Sequence, residues 1–275
     1  MILVVKLGGK VLDQDKPRDH LCRQLAQLAQ DGHRLIIVHG GGKQLTDLSN
    51  RLGVPIVQHQ GRRVTDKATL ELATMVFSAM NRKLVSDLVA LGLSALGISA
   101  FDARLTCCHR RPPLSITTTD SSGHERAELI DFGLVGEIDS IDTAVVQQFW
   151  DSGFMPVVSC LGADQNGQIL NINADTLAAE LAISLQATQL ISVSDVEGIY
   201  LDIHDVSSCI PELSTTEAKE LLRQGGLTDG MVPKVETALK VLEGGVGSVQ
   251  ICSGLKENAL LEGVQGKEGT RMKRS

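Results

Sequence analysis

Aromatic residues make up only 3% of this 275-residue chain: one Trp, one Tyr and five Phe. Any sizeable core must therefore be built from Val, Leu, Ile and Ala. No run of about 18 apolar residues occurs, so no membrane span is expected. Met1 to Val5 is too short for a signal-peptide core, and Lys6 follows it rather than precedes it. A basic excess is also missing. Lys plus Arg number 26 against 33 Asp plus Glu, a formal net charge of −7. That balance argues against a nucleic-acid partner but leaves room for a local positive site. The six cysteines, Cys22, Cys107, Cys108, Cys160, Cys209 and Cys252, contain no C-x-x-C, and reduced thiols in a cytoplasm are expected. The seven histidines show no metal spacing. There is no H-E-x-x-H and no G-x-S-x-G. No Gly-Lys pair is followed by Ser or Thr, and no G-x-G-x-x-G occurs, which removes the Walker loop and the dinucleotide fingerprint.

What is present is a globular pattern, 43% hydrophobic and 21% charged, which disfavours disorder. Short apolar runs alternate with helical periodicity. Ile2–Leu7, Leu35–Val38, Ala95–Ser99, Phe154–Ser159 and Leu190–Ser194 read as strands. Arg18–Asp31 reads as a helix ended by Gly32, and a short helix ends near Gly53. A long helix capped by Thr65 or Asp66 runs to about Leu91, and Ser214-Thr215-Thr216-Glu217 is a capping box opening a helix that Gly225 closes. Another helix is expected from about Met231 to Glu243. This alternation implies parallel βαβ units, hence an α/β fold with an open, mainly parallel central sheet sandwiched by helices. The stretch from Asp102 to Gly136 reads as hairpins with exposed turns, Arg110-Arg111 as a solvated turn, and the tail as frayed past Thr270.

Ligands in such sheets bind beyond the carboxyl ends of strands. Four clusters lie at such ends. In Lys6-Leu7-Gly8-Gly9-Lys10, glycines would let backbone N–H groups approach an anion and Lys6 would add a point charge, although a tight turn beside a snorkelling lysine reads the same way. His39-Gly40-Gly41-Gly42-Lys43 is an anion cradle at a helix N-terminus, or a plain turn. Leu170-Asn171-Ile172-Asn173-Ala174-Asp175 exceeds what an N-cap requires. Ser194 to Ile199 and Gly226 to Lys234 form the last, paired cluster. There Lys234 sits in a first helical turn, where the helix dipole disfavours a cation, which points to an anionic ligand, although for this motif taken alone an ordinary exposed lysine is the better reading. Arg62-Arg63, just before the long helix, could clamp a carboxylate.

Together these motifs resemble the amino acid kinase superfamily, with the acetylglutamate kinases as the nearest match. They are Lys6-Leu7-Gly8-Gly9, Val38-His39-Gly40-Gly41-Gly42, Gly61-Arg62-Arg63-Val64-Thr65, Asn171-Ile172-Asn173-Ala174-Asp175, Ser194-Asp195-Val196-Glu197-Gly198 and Thr228-Asp229-Gly230-Met231-Val232-Pro233-Lys234. The resemblance implies an amino acid kinase domain over residues 1–275, with an acceptor-binding and dimerisation lobe to about residue 165 and a nucleotide lobe over 166–275, on one continuous sheet. It implies ATP-dependent phosphorylation of the side-chain carboxylate of N-acetyl-L-glutamate, in arginine biosynthesis. Lys6 and Lys234 would stabilise the phosphoryl group in flight, and Asp175 would organise them. Gly41, Gly42, Arg63 and Asn171 would hold the acceptor. Gly8, Gly9, Asp195, Val196, Glu197, Gly198, Ile199, Tyr200, Gly226, Leu227 and Thr228 would surround the nucleotide. Mg²⁺ would ride on the ATP phosphates, with no protein metal site. The acceptor carboxylate is already ionised at neutral pH, which would explain lysines and glycines without a catalytic histidine.

The chain departs from the pattern at Ile98-Ser99-Ala100-Phe101-Asp102, where many relatives have a Gly-rich turn, and Cys107 to Pro113 matches no familiar pattern. The alternative acceptor is a carrier-protein-linked aminoadipate or glutamate, and the alternative of another class is a noncatalytic amino-acid sensor. Lys6 lies too near the start of the sequence for the N-terminal helix of arginine-inhibited hexameric relatives. A cytoplasmic homodimer without that control, paired through the long helix, is therefore expected.

Overall fold

Side-chain alternation along the first strand sets the architecture. In β1 (Ile2–Leu7) Leu3, Val5 and Leu7 join one buried cluster and Val4 joins another. Both faces of this strand are therefore covered, as expected of a parallel sheet with helices on each side. By the same period of two, Lys6 lies on the face of Val4. The computed structural model describes residues 1–59, 61–119, 125–202, 204–227 and 230–275. After β1 come β2 (Arg34–His39), β3 (Ala95–Ser99), β4 (Met155–Ser159), β5 (Gln189–Ser194), β6 (Glu212–Ser214), β7 (Ser248–Ser253) and β8 (Thr270–Lys273). They form one sheet in the order β6-β8-β7-β5-β1-β2-β4-β3. All neighbours are parallel except β7 and β8. The expected mainly parallel α/β sheet is thus present. Because β2 and β5 flank β1 on opposite sides, the sheet reverses direction of growth at β1, where such folds open a ligand crevice.

Besides a single helical turn at Gly9–Leu12, the helices are α1 (Asp15–Gln30), α2 (Gly42–Leu52), α3 (Lys67–Ala90), α4 (Thr143–Asp151), α5 (Ala174–Ser184), α6 (Thr215–Gln224), α7 (Val232–Glu243) and α8 (Ala259–Val264). Leu177, Ala178 and Leu181 of α5 and Val235 and Leu239 of α7 pack on the Val4 face. Leu21 and Leu25 of α1 and Leu260 of α8 pack on the other. In α3, Leu72, Ala73 and Phe77 join the first cluster while Leu84 and Leu88 join the second, so one helix serves both faces. Asp66 caps it by accepting the Thr69 N–H at 2.7 Å. The expected capping box of α6 is formed, with Gly225 in the left-handed conformation at its end.

Between β3 and α4, Thr106–Arg110 pairs antiparallel with Gly136–Ile141, and Leu114–Thr119 with Glu125–Ile130. The second pairing is nested inside the first, so the expected hairpins are replaced by one antiparallel pair within another, and the exposed turn expected at 120–124 falls outside the described residues. The tail corrects the sequence reading. Thr270–Lys273 is not frayed but forms β8, with Thr270 and Met272 fully buried. Two buried positions separated by Arg271 make a strand whose inward side chains are too few to show as an apolar run.

Candidate active site

A cleft of about 1020 Å³ opens at the carboxyl ends of β1 and β2. Its floor follows from register. Lys6 is paired with Ser192 of β5, and Ser192 with Ile251 of β7, so these three side chains share one face of the sheet. Lys6 would be an isolated cation in an apolar layer but for α5. That helix starts just after Asn173, whose side chain caps it by accepting the Thr176 N–H, and the cap places Asp175 in the first turn. The Lys6 ammonium and the Asp175 carboxylate meet at 2.8 Å. Lys6 is 12% exposed and Asp175 47%.

Lys234 enters from the first turn of α7, where Pro233 precedes it. Its enclosure disfavours the charged form, and repulsion from Lys6 adds to that. Together they outweigh the attraction of Asp175 and Asp195, so the Lys234 ammonium is held below the usual lysine range. At Asp175 burial opposes the charge, but attraction to Lys6, its hydrogen bond and the charge of Lys234 prevail, holding the carboxyl below the usual range. Two lysines from separate elements thus face one carboxylate across the cleft. Such a cluster leaves a surplus positive charge that an anionic ligand would satisfy.

The glycine loops form the walls. α2 begins at Gly42 with Gly41 as its N-cap and no capping side chain. Its first N–H groups are therefore open to a ligand in the cleft. A Cβ on Gly41 would stand 2.6 Å from Met80 Sδ and 2.8 Å from the Phe77 ring of α3, so close helix approach demands glycine there. His39, fully buried, supports the loop. Asn81 Nδ2 donates to His39 Nε2 at 3.1 Å, which leaves Nδ1–H to donate to the Gly40 carbonyl at 3.0 Å. Burial lowers the His39 pKa, consistent with a neutral ring.

Arg63 closes the far end. Its Nη2 donates to the Gly42 carbonyl and to Thr46, while Nη1 is buried without a partner among the described residues. Asn171 lies nearby, donating from Nδ2 to Thr65 Oγ1 at 3.1 Å. Arg111 corrects the reading of Arg110-Arg111 as a solvated turn. Arg110 is half exposed and paired with Asp131, but Arg111 is only 14% exposed and lines the cleft. Strand pairing explains the difference: the backbone N–H of Arg111 donates to Val135, which places the residue at the cleft wall.

Of the sequence-derived candidates, Lys6, Gly8, Gly9, Gly41, Gly42, Arg63, Asn171, Asp175 and Lys234 line this one cleft. The segment Asp195 to Tyr200 does not. Asp195 holds Lys10 of the cleft wall at 2.6 Å, Glu197 holds Lys256, and Val196 packs against the core. A Cβ on Gly198 would collide with Thr270 and Cys209, while Ile199 and Tyr200 are buried. Gly226 continues from the end of α6 and Leu227 is buried, both outside the lining, and Thr228 lies outside the described residues. Sequence reasoning missed Leu190, Ser192, Val249 and Ile251, which line the same cleft. Strand parity relative to Lys6 was the available signal.

The model of the amino acid kinase family matches residues 1–253. The acetylglutamate kinase of Myxococcus xanthus is 38% identical over 268 residues, spanning 97% of this chain and 86% of that protein. That of Sorangium cellulosum is 39% identical over 259 residues, spanning 94% and 89%. Among solved structures, an N-acetylglutamate synthase from Neisseria gonorrhoeae, complexed with coenzyme A and N-acetyl-glutamate, superposes with a TM-score of 0.82 at 24% identity. It covers all of this chain, which in turn spans 59% of the synthase chain. Giardia carbamate kinase gives a TM-score of 0.70 at 14% identity, covering 100% of this chain and 99% of its own. At these identities the structural likenesses speak to the fold alone.

Proposed function

The chain belongs to the amino acid kinase family, and on that premise we propose that it transfers the terminal phosphoryl group of ATP to the side-chain carboxylate of N-acetyl-L-glutamate, in arginine biosynthesis. Relatives named acetylglutamate kinase, matched over nearly their whole length, support this acceptor. The observation that carries the chemistry is the Lys6–Asp175 ion pair with Lys234 beside it in one cleft.

In the step proposed, an oxygen of the acceptor carboxylate attacks the γ-phosphorus. An O–P bond forms to give the acyl phosphate, and the bond to the β,γ-bridging oxygen breaks, releasing ADP. No proton must be removed from the nucleophile, so alignment and charge neutralisation are the protein's tasks. Lys6 and Lys234 meet the charge on the transferring group and the departing oxygen. Asp175 lessens their mutual repulsion and orients Lys6. The open N–H groups at Gly41 and Gly42 serve the γ-carboxylate or phosphate, and Arg63 with Asn171 holds the α-carboxylate end.

Among the described residues no group of three His, Cys, Asp or Glu side chains could hold a metal unaided. Asp175 and Asp195 are each already paired with a lysine. That donor set fits Mg²⁺ borne on the ATP phosphates, which takes most of its ligands from phosphate and water. Bound there, it would neutralise part of the triphosphate charge. The same reading divides the chain into an acceptor half to about residue 165 and a nucleotide half beyond it. In support, Arg63 and the glycine loop at Gly41-Gly42 come from the first, and Lys234 from the second. It also makes the protein a cytoplasmic homodimer paired through α3, which leaves Met75 and Val89 exposed. No helix among the described residues is long and apolar enough to cross a membrane.

The test is ADP release from ATP with and without N-acetyl-L-glutamate. Strict dependence on the acceptor is expected. Lys6→Met and Lys234→Met should each lower kcat by roughly a hundredfold or more, with the native circular-dichroism spectrum retained. Acceptor-independent release, or none at all, would reject the assignment, and wild-type turnover in either variant would reject that lysine's role.

A further inference from the structure

We propose that Arg111 is a further acceptor-binding residue, which with Arg63 reads the α-carboxylate of the substrate. The proposal rests on the acceptor assignment above and adds a specificity determinant to it. Arg111 is placed by backbone geometry. Its N–H donates to the Val135 carbonyl at 2.8 Å, Val135 bridges to Asn171, and the Asn171 N–H donates to the Leu134 carbonyl at 2.9 Å. Asn171 in turn reaches Thr65, two residues beyond Arg63. Arg111 and Arg63 therefore flank Asn171 on one wall of the cleft.

The guanidinium is held in place rather than loose. Nε donates to Glu137 Oε1 at 2.8 Å. The second oxygen of Glu137 lies 3.5 Å from His109 Nε2, and His109 Nδ1 lies 2.6 Å from Asp139. This chain of contacts sets the plane of the Arg111 fork. The cation is the more enclosed partner, 14% exposed against 39% for Glu137. Enclosing a charge costs more than a surface ion pair returns, unless a further anion meets it inside. Arg63 gives a second sign of the same kind: burial lowers its pKa, and its Nη1 has no partner among the described residues. N-acetyl-L-glutamate carries two carboxylates. Its γ-carboxylate must approach Lys6 and Lys234, so the α-carboxylate falls to the other end of the cleft. Two guanidinium forks on opposite edges of that group, with the Asn171 amide between them, would select a carboxylate at that position.

The test compares two acceptors in the ADP-release assay: N-acetyl-L-glutamate, and 4-acetamidobutanoate, which is the same skeleton without the α-carboxylate. Wild-type enzyme should favour the first. Arg111→Gln should raise the KM for N-acetyl-L-glutamate by roughly tenfold to a hundredfold, leave the KM for 4-acetamidobutanoate and for ATP unchanged, and so erode the preference. Arg111→Lys should recover part of it, and decides the matter if the Gln variant does not fold. Equal KM changes for both acceptors would show a merely structural role and overturn the proposal, as would an unchanged KM for N-acetyl-L-glutamate in both variants. Wild-type protein that releases no ADP with N-acetyl-L-glutamate would overturn the assignment above and this proposal with it, whereas a silent Arg111 substitution in an active enzyme overturns this proposal alone.

Discussion

Lys234 shows how a single charge is tuned by what surrounds it. Its folded-state pKa is lowered, first by enclosure and then by Lys6. A base depressed in this way binds its proton less tightly in the folded than in the unfolded chain. Its charge therefore costs stability at neutral pH, and that cost is relieved as pH rises through the lowered value toward the ordinary 10.5. Asp175 has the opposite effect: a depressed carboxyl favours the folded state above 3.8, and its contribution is lost as pH falls through the lower folded value. Because phosphoryl stabilisation needs the ammonium form, kcat/KM should decline on an alkaline limb below pH 10.5. This parameter is the one to measure, since it reports the free enzyme. Lys234→Arg, if active, should move that limb upward, because a guanidinium keeps its proton. A limb that stays put in the Arg variant would assign the titration to another group. At Gly41 the test is steric. The added Cβ of Gly41→Ala would need Phe77 and Met80 to move, so the cradle should shift and KM for the acceptor rise about tenfold or more.

Among the elements, the turn after β3 departs most from local rules. Ala103 and Arg104 both adopt left-handed backbone, at φ 52° and 58°. Such a conformation costs a non-glycine residue about 1–2 kcal/mol, and Ala103 is exposed, so its methyl group gains little by packing. Ala103→Gly should therefore stabilise the protein by about 0.5–1 kcal/mol despite the larger unfolded-state entropy of glycine, raising Tm by about 2–3 °C. A lower Tm in a scanning-calorimetry comparison would contradict this account. The sequence signalled a departure at this turn but not its form. Elements with their own punctuation were legible: α3 through Asp66, α6 through its capping box and Gly225. β8 was not, because Thr270 and Met272 gain their burial from β6 and β7, far away in sequence. Arg111 was hidden for a related reason. Its neighbour Arg110 has the same chemistry, and only pairing with the Gly136–Ile141 strand decides which of the two faces the cleft. The lysines and glycines of the site were readable because their residue types are out of place in a strand and a turn. The apolar wall at Leu190, Val249 and Ile251 resembles any other core surface.

For the molecule as a whole, the sign of the net charge and the sign of the site disagree. The chain carries −7, yet among the described residues Lys6, Lys10, Lys43, Arg62, Arg63, Arg111 and Lys234 line the cleft against only Asp175 and Glu236. Several of the cations are matched by carboxylates, Lys10 by Asp195 and Lys43 by Asp13 and Asp47. Arg62, Arg63 and Lys234 have no salt-bridge partner among the described residues. A concave wall of one sign concentrates field lines and draws in anions, while the acidic exterior repels them from everywhere else. Capture of ATP and of a dicarboxylate should accordingly be steered, and steering is screened by salt. Between ionic strengths of about 0.01 and 0.1 M the Debye length falls from about 30 to about 10 Å. Across that range kcat/KM for either substrate should drop several-fold, while kcat, which starts from the filled cleft, should change far less. Arg62 is exposed at the rim, so Arg62→Gln should flatten the salt dependence of kcat/KM while leaving kcat close to wild type. A salt profile that is flat in the wild type, or as steep in the Arg62 variant, would mean that encounter is governed by the acidic surface rather than by the cleft.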